Sequence, residues 1–245
     1  MTDRTTRPED EFEQTLTEQR AYYEARAPEY NEWWQRQGRY DHDDEANARW
    51  FAEIEEVKTA FDASGLSGEI LELAPGTGNW TEALARIATH VTAIDASPRM
   101  MELNRQRLAE AGLVSRVTFR EADLFTWQPQ RMYDGVFMGF FLSHVPNERL
   151  DAFLRTVASA VRPGGIIFFV DSRPDPTSST PDQPLPVAEN PKMTRRLNDG
   201  RSFQIIKVYR GAAEMESAFQ RQGVDMTVGE TANYFQFGRG VVRPT

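Results

Sequence analysis

Residues 69–81 read EILELAPGTGNWT, an apolar segment that leads into two closely spaced glycines. The apolar part, Glu69–Ala74, predicts a buried strand, and Trp80–Ala88 predicts the helix that follows it. Gly76 and Gly78 allow the connecting backbone to turn tightly and to approach a ligand without interference from a Cβ atom. In open α/β sheets, such a turn at the carboxyl end of the first strand lies where nucleotides bind.

The alternation of strand and helix continues to about residue 172. Further strands are predicted at Val91–Asp95, Val117–Glu121, Gly135–Met138, Ile166–Asp171, Ser202–Tyr209 and Tyr234–Val242. Further helices are predicted at Pro98–Ala111, Glu148–Val161 and Glu214–Gln222. Short apolar strands separated by helices indicate a parallel sheet with helices on both faces. We therefore expect an α/β fold with a seven-stranded, mostly parallel sheet and an antiparallel C-terminal strand.

The segments outside this pattern predict a cover and a lid. Residues 1–64 are expected to form an N-terminal helical cover, with 1–10 as a disordered leader and an interruption near 37–39. Eight aromatic residues between positions 22 and 51 indicate that this cover packs over something. Residues 65–245 form the predicted main domain. Within it, six prolines between positions 174 and 191 exclude regular structure, so 174–194 is expected to be a lid.

The composition excludes several classes of function. The chain has 245 residues, 28 of them basic and 37 acidic, which gives a net charge of −9. An acidic chain with no long run of Lys or Arg argues against a nucleic-acid partner, so the expected partner is a small molecule. No cysteine is present, and the three histidines have no metal-ligand spacing, so no metal is expected. No apolar run reaches the length needed to span a membrane, and a cytoplasmic monomer or homodimer is the default expectation.

Asp95 closes the second predicted strand, nineteen positions after Gly76. A carboxylate at that point can accept hydrogen bonds from both ribose hydroxyls of an adenosine. A dinucleotide-binding turn would have a third glycine at position 81, which is Thr here, and no Tyr-x-x-x-Lys pair typical of dehydrogenases occurs. These features favour a nucleoside cofactor that carries no phosphates.

Four motifs in this order resemble the class I S-adenosylmethionine-dependent methyltransferases. They are residues 72–78 (ELAPGTG), 93–100 (AIDASPRM), 122–124 (ADL) and 161–165 (VRPGG). The resemblance implies a Rossmann-like fold with S-adenosylmethionine as cofactor and S-adenosylhomocysteine as product. It implies that the first motif forms the cofactor-binding loop, that the second binds the ribose of the cofactor and that the third binds the adenine. The expected cofactor-binding residues are Arg26, Tyr30, Ala74, Gly76, Thr77, Gly78, Trp80, Asp95, Ala96, Met100, Asp123, Leu124 and Phe140.

A narrower resemblance concerns residues 22–27 (YYEARA), 142–146 (LSHVP) and 199–207 (DGRSFQIIK). These segments are similar to phosphonate O-methyltransferases of antibiotic biosynthesis, in which an Arg, a Lys and a Tyr bind the anionic substrate. The matching positions are Arg195, Lys207 and Tyr40, so the resemblance implies a substrate-binding role for these three side chains. Without this resemblance, two basic residues at such positions are usually solvated surface charge.

Aromatic and imidazole side chains supply the remaining candidates. A cationic sulfonium prefers aromatic faces, which gives Tyr30, Trp80, Phe140 and Phe141 a role beside the cofactor, although simple core packing explains them as well. His144 follows the fourth predicted strand at the ligand-binding edge. It is the candidate catalytic residue and a substrate-binding residue: a general base for a hydroxyl or amine, or an orienting group for an acceptor that is already an anion.

The function predicted from these observations is O-methylation of a small, anionic secondary metabolite, a phosphonate or carboxylate. An N- or C-methyltransferase acting on an aromatic metabolite is the alternative within the class. An NAD(P)-dependent oxidoreductase and a non-catalytic S-adenosylmethionine-binding module are the alternatives from other classes. Binding of S-adenosylhomocysteine rather than NAD separates the oxidoreductase from the other three.

Overall fold

The computed structural model describes residues 8–187 and 190–244, and it contains a central seven-stranded sheet. Its strand order is β3-β2-β1-β4-β5-β9-β8. Strands β1 to β5 are parallel, and β9 runs antiparallel to both of its neighbours. The strands are β1 Gly68–Leu73, β2 Ala88–Asp95, β3 Val117–Glu121, β4 Tyr133–Gly139, β5 Val161–Ser172, β6 Lys192–Arg196, β7 Ser202–Ile206, β8 Val224–Glu230 and β9 Phe235–Val242. The predicted sheet is confirmed.

Helices flank both faces of the sheet. They are α1 Pro8–Arg26, α2 Tyr30–Gln35, α3 Asp44–Asp62, α4 Thr81–Ile87, α5 Pro98–Glu110, α6 Asn147–Ser159 and α7 Ala212–Gln220. Local signals set their starts: the Ser97 side chain accepts from the backbone N–H of Met100, and Pro98 occupies the first turn of α5. Asp43 caps α3 in the same way. The core divides into two apolar layers, one on each face of the sheet.

Two strand predictions need correction. The predicted strand Ser202–Tyr209 ends at Ile206 and lies outside the main sheet, where it pairs antiparallel with β6 in a two-stranded hairpin. The main sheet takes β8 instead, which the sequence analysis missed. Strand β8 alternates buried Val224 and Met226 with exposed polar residues, as an edge strand with one apolar face does. Because β8 contains no continuous apolar run, its sequence carries only a weak strand signal.

The expected leader and lid are also modified. Residues 1–7, and residues 188–189 of the lid, lie outside the described part of the chain. Pro8 already begins α1, so the leader does not extend to residue 10. Among its described residues, the segment predicted as a lid contains the short 3-10 turn Pro176–Ser178 and the first residues of strand β6.

The N-terminal helices cover the carboxyl ends of the parallel strands and the β6–β7 hairpin. Tyr22 of α1 is buried in an apolar cluster with Met193, Leu197 and Ile205 of the hairpin region. The lid is tied to the cover as well, because the Trp33 indole donates to the carbonyl of Ser178 at 3.0 Å. The cover and hairpin therefore enclose the sheet edge at which α/β proteins bind ligands.

Candidate active site

A cleft that is partly open to solvent lies at the carboxyl ends of β1, β2 and β4. The cavity is adjacent to the β1–β4 pair, where the strand order reverses. Its lining residues are Leu16, Gln19, Arg20, Tyr23, Tyr30, Ala74, Gly76, Asp95, Ala96, Ser97, Met100, Asp123, Leu124, Phe125, Gly139, Phe140, Phe141 and His144.

The glycine loop after β1 forms one wall of this cavity. Ala74 has a left-handed φ of 55°, and Gly76 has a φ of 54°. A left-handed conformation is uncommon for a residue with a Cβ atom, and such strained residues cluster at functional sites. A Cβ built on Gly76 would meet no atom within 4 Å, so the backbone faces open space there. The loop thus presents bare backbone to a ligand.

Asn104 of α5 supports this loop through hydrogen bonds, a role that the sequence analysis missed. Its buried amide donates to the hydroxyl of Thr81 at 2.8 Å and, more weakly, to the carbonyl of Gly76 at 3.4 Å. Glu72, at the start of the motif, is buried beside Thr81, and desolvation raises its pKa to about 8. Glu72 is therefore largely protonated at neutral pH.

Asp95 lies at the end of β2, as predicted. Its carboxylate accepts from the backbone N–H groups of Gly76 at 3.1 Å and Ser97 at 2.9 Å. Desolvation at the cavity outweighs these bonds and raises its pKa to about 6. Each carboxylate oxygen has a second lone pair that the backbone donors do not use. A pair of neighbouring hydroxyl groups, as on a ribose, fits this acceptor.

The opposite side of the cavity is built by the loop after β3. Asp123 accepts from the backbone N–H of Phe125 at 3.0 Å and forms an ion pair with Arg20 of α1. This ion pair joins the N-terminal cover to the loop that we expected to face adenine. Arg20 was not predicted, because one basic residue in a polar helix carries no positional signal.

The structure brings most of the predicted cofactor residues together. The nine that line the cavity are Tyr30, Ala74, Gly76, Asp95, Ala96, Met100, Asp123, Leu124 and Phe140. Four do not line it. Thr77 turns away to donate to Asn31, and Gly78 packs against Asn104. Trp80 is buried among Phe61 and other aromatic side chains, so the core-packing interpretation holds for it. Arg26 lines a second pocket.

That second pocket is adjacent to the first. It is lined by Tyr23, Arg26, Tyr30, Trp33, Phe140, His144, Ser172, Ser178, Arg195, Lys207 and Tyr209. Tyr23, Tyr30, Phe140 and His144 line both spaces and form the junction between them. Because the lid, hairpin and cover all contribute, the pocket could not be assembled from one contiguous motif.

Two of the predicted basic residues face this pocket. Arg195 donates to the hydroxyl of Ser179 at 2.6 Å and to the side-chain carbonyl of Gln183 at 2.8 Å. Its buried Nε has no hydrogen-bond partner within the described chain. Lys207 is buried, donates to the Ser143 hydroxyl at 2.7 Å and lies 3.6 Å from the carboxylate of Asp171. Desolvation lowers the pKa of Lys207 to about 8.

Arg26 is the third cation of the pocket. Its buried guanidinium lies over the rings of Tyr22, Tyr30 and Tyr40 and donates to the Tyr40 hydroxyl at 3.1 Å. Cation–π contacts hold a guanidinium without neutralising its charge. Tyr40 itself is not among the described lining residues of this pocket, and its hydroxyl accepts from Arg26 instead.

His144 is buried at the junction with both ring nitrogens engaged. Nδ1 lies 2.6 Å from the carbonyl oxygen of Ile206, and Nε2 lies 2.7 Å from the hydroxyl of Tyr23. Burial, together with nearby Lys207, holds the pKa of His144 well below its usual value of 6.5. The imidazole is therefore neutral at physiological pH. Tyr23 was missed because a tyrosine in an aromatic-rich helix is typical of packing.

Within residues 8–187 and 190–244, no cluster of His, Cys, Asp and Glu could hold a metal ion. In the same ranges, no helix combines the length and apolar character needed to cross a bilayer.

Comparisons with known proteins agree with this geometry. Residues 70–165 match a family described as a methyltransferase domain. The structure of a DhpI–SAH complex superposes with a TM-score of 0.72 and 34% identity, over 94% of this chain and 98% of that one. The chain therefore belongs to the class I S-adenosylmethionine-dependent methyltransferases, and S-adenosylmethionine is its cofactor. DhpI has also been solved as a DhpI–SAM–HEP complex, at 35% identity over the same shares of the two chains.

Curated relatives align with only part of this chain. A demethylmenaquinone methyltransferase from Tropheryma whipplei is 34% identical over 97 residues, which cover 40% of this chain and 38% of the relative. A ubiquinone biosynthesis O-methyltransferase from Shewanella halifaxensis is 26% identical over 138 residues, 56% of each chain. The alignments thus span about two fifths to just over half of these relatives.

Proposed function

We propose that this methyltransferase transfers a methyl group to an oxygen atom of a small anionic acceptor held in the second pocket. The observation that carries the proposal is the charge of that pocket. Arg26, Arg195 and Lys207 face it, and Asp171 beside Lys207 is the carboxylate that counters them. None of the described lining residues is acidic. Buried cations in excess of their carboxylates favour an anionic ligand, here a phosphonate or a carboxylate.

The residues that line the two pockets indicate that the first pocket binds the cofactor and the second binds the acceptor. The cofactor, when bound, supplies a methyl group on a sulfonium, which an acceptor oxygen attacks in line. The residues that would hold it are the glycine loop, Asp95 and the segment around Asp123. Methyl transfer depends chiefly on orientation, so the basic side chains would fix the acceptor against the junction. Residues 1–64 and 174–194 would act as the cover and lid of the main domain.

The environment of His144 favours an acceptor that is already ionised. A general base must receive a proton, but both nitrogens of His144 are engaged, and an imidazolium would form beside the positive charge of Lys207. That electrostatic cost makes His144 a poor base. A phosphonate or carboxylate oxygen needs no base, because it has already lost its proton.

The similar proteins support the same class of reaction. DhpI, whose complex with SAM and HEP has been solved, aligns over 94% of the chain. The ubiquinone biosynthesis relative is named as an O-methyltransferase. Both are consistent with transfer to oxygen, and a role in secondary metabolism is part of this proposal.

A methyl-donor assay against phosphonates, carboxylates, phenols and amines tests the proposal. Arg195→Gln and Lys207→Met are each expected to raise the acceptor KM at least tenfold, because each removes a charge-assisted hydrogen bond. Calorimetry should show unchanged affinity for S-adenosylhomocysteine in both variants. Arg201→Gln is the matched control: Arg201 precedes β7 but pairs with exposed Asp199. Turnover confined to amines, or unchanged KM in both variants, would contradict the proposal.

A further inference from the structure

The hydrogen bonds of His144 determine which atom accepts the hydroxyl proton of Tyr23. A backbone carbonyl only accepts, so the 2.6 Å contact with Ile206 means that Nδ1 carries the imidazole proton. The neutral ring then has a bare Nε2, which accepts the Tyr23 proton across 2.7 Å. The phenol oxygen of Tyr23 is left with lone pairs and no free proton.

The direction of the Tyr23–His144 hydrogen bond matters for the reaction because of where these two residues lie. Tyr23 and His144 line both spaces, so they lie at the junction that the transferred methyl group must cross. The acceptor pocket is otherwise rich in donors, from Arg26, Arg195 and Lys207. Donors bind an anion well, but a donor on the attacking oxygen withdraws electron density from it and lowers its nucleophilicity.

We propose that His144 is a positioning residue that keeps the Tyr23 proton away from the attacking oxygen of the acceptor. The inference rests on the proposed function, because it requires an anionic acceptor. The basic side chains hold the oxygens that do not react, and the Tyr23–His144 hydrogen bond removes the donor at the junction. His144 neither gains nor loses a proton during the reaction.

Three variants separate this role from that of a base. In His144→Asn, the amide can still donate to Ile206, but no acceptor reaches Tyr23. The freed hydroxyl then donates to the acceptor, so kcat should fall about tenfold or more while the acceptor KM stays unchanged or falls. In His144→Gln, the side-chain carbonyl can replace Nε2, and kcat should stay within about threefold of wild type. Tyr23→Phe alone, which removes the proton, should also stay within about threefold.

The double variant gives the sharpest result. Tyr23→Phe introduced into His144→Asn should raise kcat back toward wild type, because the interfering donor is gone. If His144 were a base, or only a structural support, the double variant would be as slow as His144→Asn or slower. That outcome overturns the inference.

A readout independent of turnover is available from nitrogen NMR of the ¹⁵N-histidine-labelled protein. The chain has three histidines, so the His144 signals are assigned by their loss in His144→Asn. We expect a protonated Nδ1 and an unprotonated Nε2, with and without S-adenosylhomocysteine. A protonated Nε2 would overturn the inference. Wild-type turnover of neutral hydroxyls alone would overturn the proposed function as well, whereas anion turnover without rescue overturns this inference only.

Discussion

Replacing Asp95 with Asn should weaken cofactor binding and at the same time stabilise the cofactor-free protein. The pKa of Asp95 is about 6, against an ordinary value of 3.8, because the carboxylate is desolvated at the cavity. A group whose pKa is raised by folding binds its proton more tightly in the folded state. The ionised form therefore destabilises the fold. This effect is absent below about pH 4, grows as the pH rises through 6 and is complete above that.

The size of the effect follows from the shift. About two pKa units correspond to at most about 3 kcal/mol, and less here because the side chain is only half-buried. Asn removes the charge but keeps one acceptor oxygen for the two backbone donors, Gly76 and Ser97, which costs about 1 kcal/mol. The net gain for the cofactor-free protein at pH 8 is about 1–2 kcal/mol, or roughly 3–6 °C in Tm for a chain of this size.

Cofactor binding, in contrast, should become weaker in Asp95→Asn. Asn offers one acceptor where Asp offers two, so a pair of ribose hydroxyls loses about 1–3 kcal/mol, a tenfold to hundredfold loss in affinity for S-adenosylhomocysteine. Calorimetry and thermal unfolding at pH 5 and pH 8 measure both effects. The stability difference between the two proteins should shrink at pH 5, where wild-type Asp95 is mostly protonated. An Asn variant that binds the product as wild type does and is less stable at pH 8 would refute the reasoning.

Two further predictions concern the acceptor pocket and the cover. Because burial lowers the pKa of Lys207 to about 8, the acceptor KM should rise as the pH increases through 8, when the protonated form is lost. Lys207→Arg should remove this rise, and an identical pH profile in both proteins would contradict it. Amide hydrogen exchange in residues 20–34 should slow when S-adenosylhomocysteine binds, because Arg20, Tyr23 and Tyr30 line the cavity. Residues 148–158 of α6 serve as the internal reference, and equal exchange with and without product would show that the cover is only structural.

The cofactor side of the site could be predicted from the sequence because its determinants are local. The glycine loop and Asp95 each follow a strand directly, and parallel strands bring their carboxyl ends to one sheet edge. Ala74, Gly76 and Asp95 accordingly line the cavity where the spacing placed them. Trp80 shows the limit of such reasoning. It adjoins the motif, but the helix that it precedes turns its ring into the core against Phe61 and Phe137.

The acceptor side could be predicted only in part, because its residues come from distant segments. Arg195 and Lys207 were predicted by resemblance, and the structure places both at one pocket. Arg26 was assigned to the cofactor, yet tertiary packing of α1 on the hairpin turns it to the acceptor side. Tyr23 carries no local signal, since its significance depends on a histidine 121 residues away. Pairing between α1 and a hairpin near the C-terminus is a non-local property that periodicity does not encode.

The backbone N–H and carbonyl of Ile206 join these distant segments into a ring that consists of three hydrogen bonds and one turn of α1. Its N–H donates to the side chain of Gln19 on α1 at 2.9 Å, and its carbonyl accepts from His144. His144 accepts from Tyr23, which lies four residues after Gln19 and hence on the same face of α1. The cover, the hairpin and the loop after β4 are therefore linked through the backbone of Ile206. Since Lys207 is the next residue on that backbone, a shift of α1 would displace a cation of the acceptor pocket and the proton acceptor of Tyr23 together.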